Sequence, residues 1–261
     1  MNKNKQALLT ILETKAIYPV FQPIVNLENG NVVAYESLSR IENKNIDINI
    51  EELFCLAEAY GCVWKLEKLC RDKALKASMN KPSGTKIFLN VDGQIFQDSN
   101  FISGFTNRKL EKFGLLNEDI VFEITERTDI ENYVLLQAIM NHYIDQGYQI
   151  ALDDVGAGYS GLNRVVNTTP NYLKADIELV RNIHLSKSKQ SMMKLLVEYC
   201  DEMGLKLIAE GIETQEELEC ICNLHVHYGQ GYYLGLPDCK FNGISSQALQ
   251  YLMNIHGMIK T

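Results

Sequence analysis

The chain has no apolar stretch approaching the roughly 20 residues that span a bilayer, so no membrane insertion is expected. Its first residues, MNKNKQALLTILETKAIYPV, are basic and then mildly apolar. They lack the long apolar core and small-residue cleavage site of a secretory leader, and a cytoplasmic location is expected. A basic surplus is also missing: 25 Lys and Arg stand against 33 Asp and Glu, a formal net charge of −8, so duplex nucleic acid is not an expected partner. No CxxC pair occurs, and the seven cysteines are odd in number, so they are read as reduced, mostly packed thiols. The run Cys220, Cys222, His225 and His227 lacks a usual zinc spacing and reads as a helix end entering a strand. No glycine-rich GxGxxG follows the first strand-like segment, which argues against an open, doubly wound nucleotide-binding sheet. Low-complexity segments, linkers and short repeats are absent as well.

What is present is an ordinary globular composition, 46% hydrophobic and 22% charged, in a chain of 261 residues. Leu8, Leu9, Ile11 and Leu12 suggest an amphipathic opening helix. YPVFQPIV (18–25) and VVAYESLSR (32–40) flank a turn and read as a hairpin whose first arm is limited in pairing by its prolines. A long helical stretch follows, with Val63, Leu66, Leu69, Cys70 and Ala74 on one face. Beyond Gly84, strand-like and helical segments alternate: KIFLNV, DIVFEITE, YQIALDDV, NYLKAD, KLIAEGI and YGQGYYLG are strand-like, and the later ones are each followed by a helix. TQEELECICNL should start on Thr214 as N-cap, with Glu217 completing a capping box. About eight strands alternating with helices predict an α/β fold with a mainly parallel sheet, closed as a (β/α)8 barrel.

The strands share one peculiarity. Glu36 lies late in the second, Asn90 late in the third, Glu123 in the fourth, Asp153 and Asp154 at the end of the fifth. Lys174 ends the sixth, Glu210 the seventh, and Gln230 falls in the eighth. A single charged strand end is ordinarily paired or solvated. Seven successive polar strand ends are different, because in a barrel they meet on the face where barrel enzymes carry their sites. Several carboxylates beside one lysine repel one another unless a cation stands among them, and an all-oxygen donor set suits Mg²⁺ or Mn²⁺. Adjacent aspartates reach one site only where a strand is ending, and the glycines after Asp154 supply that freedom. Asp153 could then ligate one ion and Asp154 a second, an arrangement suited to phosphodiester hydrolysis.

These residues closely resemble the EAL-domain family, bacterial phosphodiesterases acting on cyclic di-GMP. The resemblance runs over eight ordered motifs: FQPI, E-x-L-x-R, LNV, FEITE, DDVGAG, LKAD, EGIET and QGY. It implies a TIM-like barrel with an antiparallel first strand, forming a single domain over residues 1–261, with residues 1–16 as a helix packing on the barrel. It further implies that Glu36, Asn90, Glu123 and Asp153 are ligands of a first metal, and that Asp154 is the bridging or second-metal ligand. Lys174 matches the lysine that orients the attacking water, and Glu210 a carboxylate holding the second metal or its water. Gln22, Leu38 and Arg40 match substrate-contacting positions, the Arg40 guanidinium suiting a phosphate. Gln230 and Glu213 match supporting residues at the same mouth. Glu126 matches the carboxylate anchoring the loop after the paired aspartates, and Asp176 is a further candidate. Two Mg²⁺ or Mn²⁺ ions, cyclic di-GMP as substrate, pGpG as product and a homodimer through helices beside the DDVGAG loop are implied in the same way.

The chain departs from the family pattern at Ser37, Val155, Gly161, Ala175 and His227, none of them a ligand or the lysine. Members that only bind the dinucleotide and signal through a partner usually lack one of those groups. Hydrolysis is therefore favoured over a receptor module, and both over a scaffold that ignores the nucleotide. Elsewhere, Trp64 is read as a core or subunit-contact aromatic. Tyr232 and Tyr233 are read as strand residues facing opposite ways, and EELE (216–219) as a solvated helix face.

Overall fold

The computed structural model describes residues 3–42, 46–125, 133–156, 161–255 and 257. Eight strands close into one barrel in sequence order. They are β1 (Ile17–Asn26), β2 (Val32–Ile41), β3 (Lys86–Val91), β4 (Ile120–Ile124), β5 (Gln149–Val155), β6 (Tyr172–Ala175), β7 (Lys206–Ala209) and β8 (Tyr228–Gly229). β1 runs antiparallel to both neighbours, β2 and β8, and the remaining pairs are parallel. Around the barrel stand α1 (Lys3–Thr14), α2 (Ile50–Ala59), α3 (Val63–Ala77), α4 (Phe105–Phe113), α5 (Tyr133–Ile144), α6 (Gly161–Val166), α7 (Ile177–Val180), α8 (Lys187–Met203), α9 (Gln215–Asn223) and α10 (Ser246–Ile255). The alternation of strand and helix read from the sequence is thus the observed order. No helix among the described residues is long and apolar enough to cross a membrane.

The prolines of β1 do not limit its pairing with β2, contrary to expectation: the ladder runs from Ile17↔Ile41 to Val25↔Val32. Backbone groups alternate sides along a strand. Phe21 exchanges both its hydrogen bonds with Asp238, at 2.7 and 3.2 Å, away from β2. Pro19 and Pro23 share that phase, so the N–H each lacks would have faced the side where β1 has almost no strand partner.

The last strand is shorter than YGQGYYLG suggested, ending at Gly229. Beyond it the chain turns onto the backbone of Ile212. Ile212 N–H donates to Gln230 O at 3.1 Å, and Tyr233 N–H donates to Ile212 O at 3.0 Å. Gly231 permits this approach, since a Cβ there would lie 2.2 Å from Ile212 N and O. Tyr232 is consequently exposed and Tyr233 donates its hydroxyl to Gln215 Oε1 at 3.2 Å; neither is a strand residue.

Helix ends follow local chemistry. Asn49 and Glu52 form a capping box at α2, and Thr214 and Glu217 form the expected one at α9. That box corrects the reading of 216–219 as solvated: Glu217 is buried, and its carboxylate accepts the N–H groups of Asn182, Glu213 and Thr214. Trp64 is a core residue, edge-on to Phe101 and Phe105. α1 buries Leu8, Ile11 and Leu12 against α2 and α3.

The close approach at Gly231 gives a stability prediction. Gly231→Ala should destabilise the fold by about 1–3 kcal/mol, the usual cost of overpacking, and lower Tm by several degrees in a thermal melt. An unchanged Tm would show that the turn does not need the approach.

Candidate active site

Strand side chains repeat every two residues, and the barrel interior is built in layers on that period. One apolar layer takes a residue from each strand: Ile24, Ala34, Phe88, Val121, Ala151, Tyr172, Ile208 and Tyr228. Two residues further toward the mouth, every strand or its continuation places a polar side chain. Those residues are Gln22, Glu36, Asn90, Glu123, Asp153, Lys174, Glu210 and Gln230. The polar strand ends are therefore one layer of the barrel. β1 runs the other way, so its member precedes Ile24 instead of following it. Glu36 lies mid-strand and not late, because β2 continues past the barrel to Ile41, paired there with β1 alone among the described residues.

Lys174 is at the centre of this layer and is 1% exposed. Its Nζ lies 2.5 Å from Glu123 Oε1 and from Glu210 Oε1, and 3.4 Å from Glu36 Oε2 and Asp153 Oδ1. Gln230 Nε2 donates to Glu36 Oε2 at 2.6 Å and to Gln22 Oε1 at 3.2 Å; Gln22 Nε2 donates to Gly235 O at 3.2 Å. Asn90 Nδ2 donates to Glu36 Oε1 at 3.1 Å. Burial alone would lower the Lys174 pKa, but the four carboxylates outweigh it and hold the ammonium charged well above its ordinary range. The cost falls on the acids. Burial, reinforced by Asp153 and Glu36, pushes Glu123 well above the carboxylate range. Burial also pushes Glu210 up to about 8 despite Lys174. One ammonium does not balance four carboxylates.

Asp154 would point out of the barrel if β5 stayed regular. Its φ of 55° lies in the left-handed region, and Gly156 follows at 103°. The twist lets neighbouring aspartates serve one site. Ligand oxygens of Asp153, Asp154 and Glu210 lie within 4.8 Å of one another, as do those of Glu36, Glu123 and Glu210. Two acidic triads thus share Glu210. Beside them opens a cavity of about 430 Å³, a size ordinary for small-molecule sites, lined by Glu36, Asn90, Asp153, Asp154, Leu38 and Arg40 among others.

Two of the expected residues stand outside this cluster. Asp176 caps α7, accepting Glu178 N–H at 2.6 Å. Glu213 is exposed just before α9. Glu126 lies outside the described residues. The Cys222–His227 corner is remote chemistry: His227 Nδ1 accepts Leu207 N–H at 3.2 Å and Nε2 lies 2.9 Å from Asp201, so both ring nitrogens are engaged.

The family model of the EAL domain matches residues 5–237. The chain belongs to the EAL-domain family. This EAL domain is 26% identical over 238 residues to an Escherichia coli K12 protein named probable cyclic di-GMP phosphodiesterase PdeG, covering 89% of this chain and 47% of PdeG. It resembles Klebsiella pneumoniae BlrP1, solved as a calcium/cyclic di-GMP complex, with a TM-score of 0.79 at 25% identity over 88% of this chain and 58% of that one. A standalone EAL protein of Vibrio cholerae O395, solved with cyclic di-GMP bound, gives a TM-score of 0.74 at 26% identity over 89% and 97% of the two chains. The chain spans about half the length of the first of these relatives.

The donor set of this EAL domain fits a divalent cation. Among the described residues Glu123 Oε2 and Asp153 Oδ1 are buried without a hydrogen bond, the latter with Lys174 Nζ no nearer than 3.4 Å, which is costly unless a further electropositive group meets them. Every ligand atom offered is oxygen, as hard cations require. The sequence reading missed part of the cavity wall: Glu67, Cys70 and Arg71 of α3, and Phe54 of α2, also line it. A signal was available, since Glu67 and Arg71 interrupt the apolar face of α3 at i and i+4.

Mn²⁺ in large excess over its Kd should raise Tm by roughly 5–10 °C. Glu123→Gln and Asp153→Asn, measured by differential scanning fluorimetry, should each lose more than half of that shift. A full shift in both variants would remove these oxygens from the ligand set.

Proposed function

We propose that the domain hydrolyses cyclic di-GMP to linear pGpG with the help of two Mg²⁺ or Mn²⁺ ions. The observation that carries this reading is the complete polar layer. Glu36, Glu123, Asp153 and Glu210 converge on Lys174 in one layer, with the amide of Asn90 on Glu36, beside a cavity that Glu36, Asn90, Asp153 and Asp154 line, in a chain of the EAL-domain family whose relatives include named cyclic di-GMP phosphodiesterases. Glu36, Asn90, Glu123 and Asp153 would hold one ion, and Asp154 with Glu210 the other. Bound there, divalent ions lower the pKa of a water and neutralise charge developing on phosphate oxygens.

The chain's own groups do the rest. Arg40, on the overhanging end of β2, faces the cavity and offers a guanidinium to a phosphate. Leu38 gives the same wall an apolar surface. Lys174 holds its proton and orients the attacking water toward phosphorus. Gln230 and Gln22 fix Glu36 from behind. Water oxygen bonds to phosphorus as the bond to the 3′-oxygen breaks, and one water proton ends on that oxygen. The product carries a terminal 5′-phosphate. The domain acts in the cytoplasm as a single barrel unit over residues 1–261, α1 included, and as a homodimer.

Purified protein incubated with cyclic di-GMP and Mg²⁺ or Mn²⁺ should give pGpG by chromatography, and an EDTA control none. Glu36→Ala should abolish turnover. Lys174→Ala should lower kcat by at least ~10²-fold, as expected for loss of a positioned catalytic group. Wild-type rates in either variant would overturn the assignment of that residue.

A further inference from the structure

β2 and β3 are paired only as far as Ser37↔Leu89, whereas β3 stays paired with β4 to Val91↔Ile124. Past Leu89 the two strands separate, and the cavity occupies the gap, with Ser37–Arg40 on one side and Asn90 and Asp92 on the other. Val91 O accepts Thr125 N–H at 3.4 Å, so the backbone groups of Val91 face β4. By alternation the N–H of Asp92 faces the side that β2 has left. Asp92 is buried, and a buried amide without an acceptor is unfavourable.

Glu67 supplies the acceptor. Its Oε2 receives the Asp92 N–H at 3.0 Å. Its Oε1 is held by Arg71 Nη2, one turn along α3. Arg71 is itself locked: it donates to Thr106 Oγ1 at 3.2 Å and to Tyr143 at 3.3 Å, and its guanidinium lies 4.9 Å from the Phe122 ring centroid and 5.6 Å from that of Trp64. Glu67 lines the cavity, yet both its oxygens are engaged by the protein, so its role is not that of a free acceptor for a ligand.

We propose that Glu67 is a positioning residue that stands in for β2 as the partner of the end of β3, and thereby holds Asn90, two residues back, in place toward Glu36 and the cation. The proposal rests on the metal-dependent reading above. It explains why an ion pair interrupts the apolar face of α3 where it does. A carboxylate is needed opposite the gap, and a fixed guanidinium is needed to aim it. Outer groups that orient ligands typically alter metal affinity by 10–100-fold when changed.

Glu67→Asp keeps the charge but is one methylene short of the Asp92 amide, and Glu67→Gln keeps an oxygen for it. In Glu67→Asp, Mn²⁺ affinity by isothermal titration should fall about 10-fold or more. The Asp92 amide should lose its hydrogen-exchange protection, and KM for cyclic di-GMP at saturating Mn²⁺ should stay put. Glu67→Gln offers one oxygen to two donors, Arg71 and the Asp92 amide, so its Mn²⁺ affinity should fall between those of the wild type and Glu67→Asp. Unchanged Mn²⁺ affinity in Glu67→Asp, with or without a raised KM, overturns the proposal; a raised KM would place Glu67 against the substrate. A loss in Glu67→Gln greater than that in Glu67→Asp overturns it too, since charge rather than the tether would then matter. Should Glu67→Asp not fold, an unprotected Asp92 amide in the wild type would refute the tether without any variant. If the wild type bound no Mn²⁺, the metal reading would have failed instead, and the exchange measurement would still test the tether.

Discussion

Four carboxylates and one ammonium share a single layer of a barrel interior, and that layer governs the molecule's chemistry. Taking ions out of water costs several kcal/mol each even after relaxation, so such a layer persists only if its charges are matched. Lys174 provides part of the match and is held charged by it. The remainder appears as carboxyls displaced from their ordinary pKa by burial and by one another, Glu210 up to about 8 and Glu123 well above the carboxylate range. Below the layer, Phe88, Val121, Ala151 and Ile208 seal the barrel, so the charge imbalance cannot relax by admitting water from that end.

The second constraint is the route of β2. An antiparallel first strand lets β2 run on past Ser37 to Ile41 with β1 as its only strand partner among the described residues, carrying Leu38 and Arg40 beyond the barrel mouth. A regular parallel barrel would have ended β2 beside β3. The overhang creates a walled cavity next to the carboxylates, but it strips β3 of a neighbour at its last residues. Glu67 and Arg71 lie where that ladder is missing, and their burial among Trp64, Phe122 and Tyr143 gives the substitute partner a rigid base. The cavity and the ion pair beneath it are consequences of one strand leaving another.

Much of this was legible because the barrel writes its layers at period two. Glu36, Asn90, Glu123, Asp153, Lys174, Glu210 and Gln230 could each be placed on a strand, and placing them together needed only closure of the sheet. What was not legible depended on approaches between distant segments. The aromatic run after Gly229 has strand composition, and only the contact of Gly231 with Ile212 shows why it turns. Glu217 is legible in its capping box on Thr214, but its burial and the further amides of Glu213 and the distant Asn182 on its carboxylate are not. Glu67 and Arg71 visibly interrupt the apolar face of α3, but a pattern that finds the core face does not tell what polar residues embedded in it meet. Pro19 and Pro23 were read for the hydrogen bonds they lack, when the direction of those bonds was what mattered.

The carboxylates also divide their oxygens between two tasks. Glu123 gives Oε1 to Lys174 and keeps Oε2 without a hydrogen bond. Glu210 likewise gives Oε1 to Lys174. Glu36 spends Oε1 on Asn90 and Oε2 chiefly on Gln230, so it is the most constrained member of the layer. Asp153 meets Lys174 only at 3.4 Å and its Oδ1 has no hydrogen bond. Oxygens held at 2.5 Å by an ammonium are poorly available as ligands, whereas Glu123 Oε2 is buried with no hydrogen bond among the described residues and Asp153 Oδ1 has only the longer 3.4 Å contact with Lys174. Lys174 therefore fixes where the acids stand while leaving one side of the layer electron-rich. The left-handed turn at Asp154 adds its carboxylate to that same side. A lysine in this position is thus compatible with cation binding, because it takes one oxygen of Glu123 and leaves the other, and approaches Asp153 only loosely.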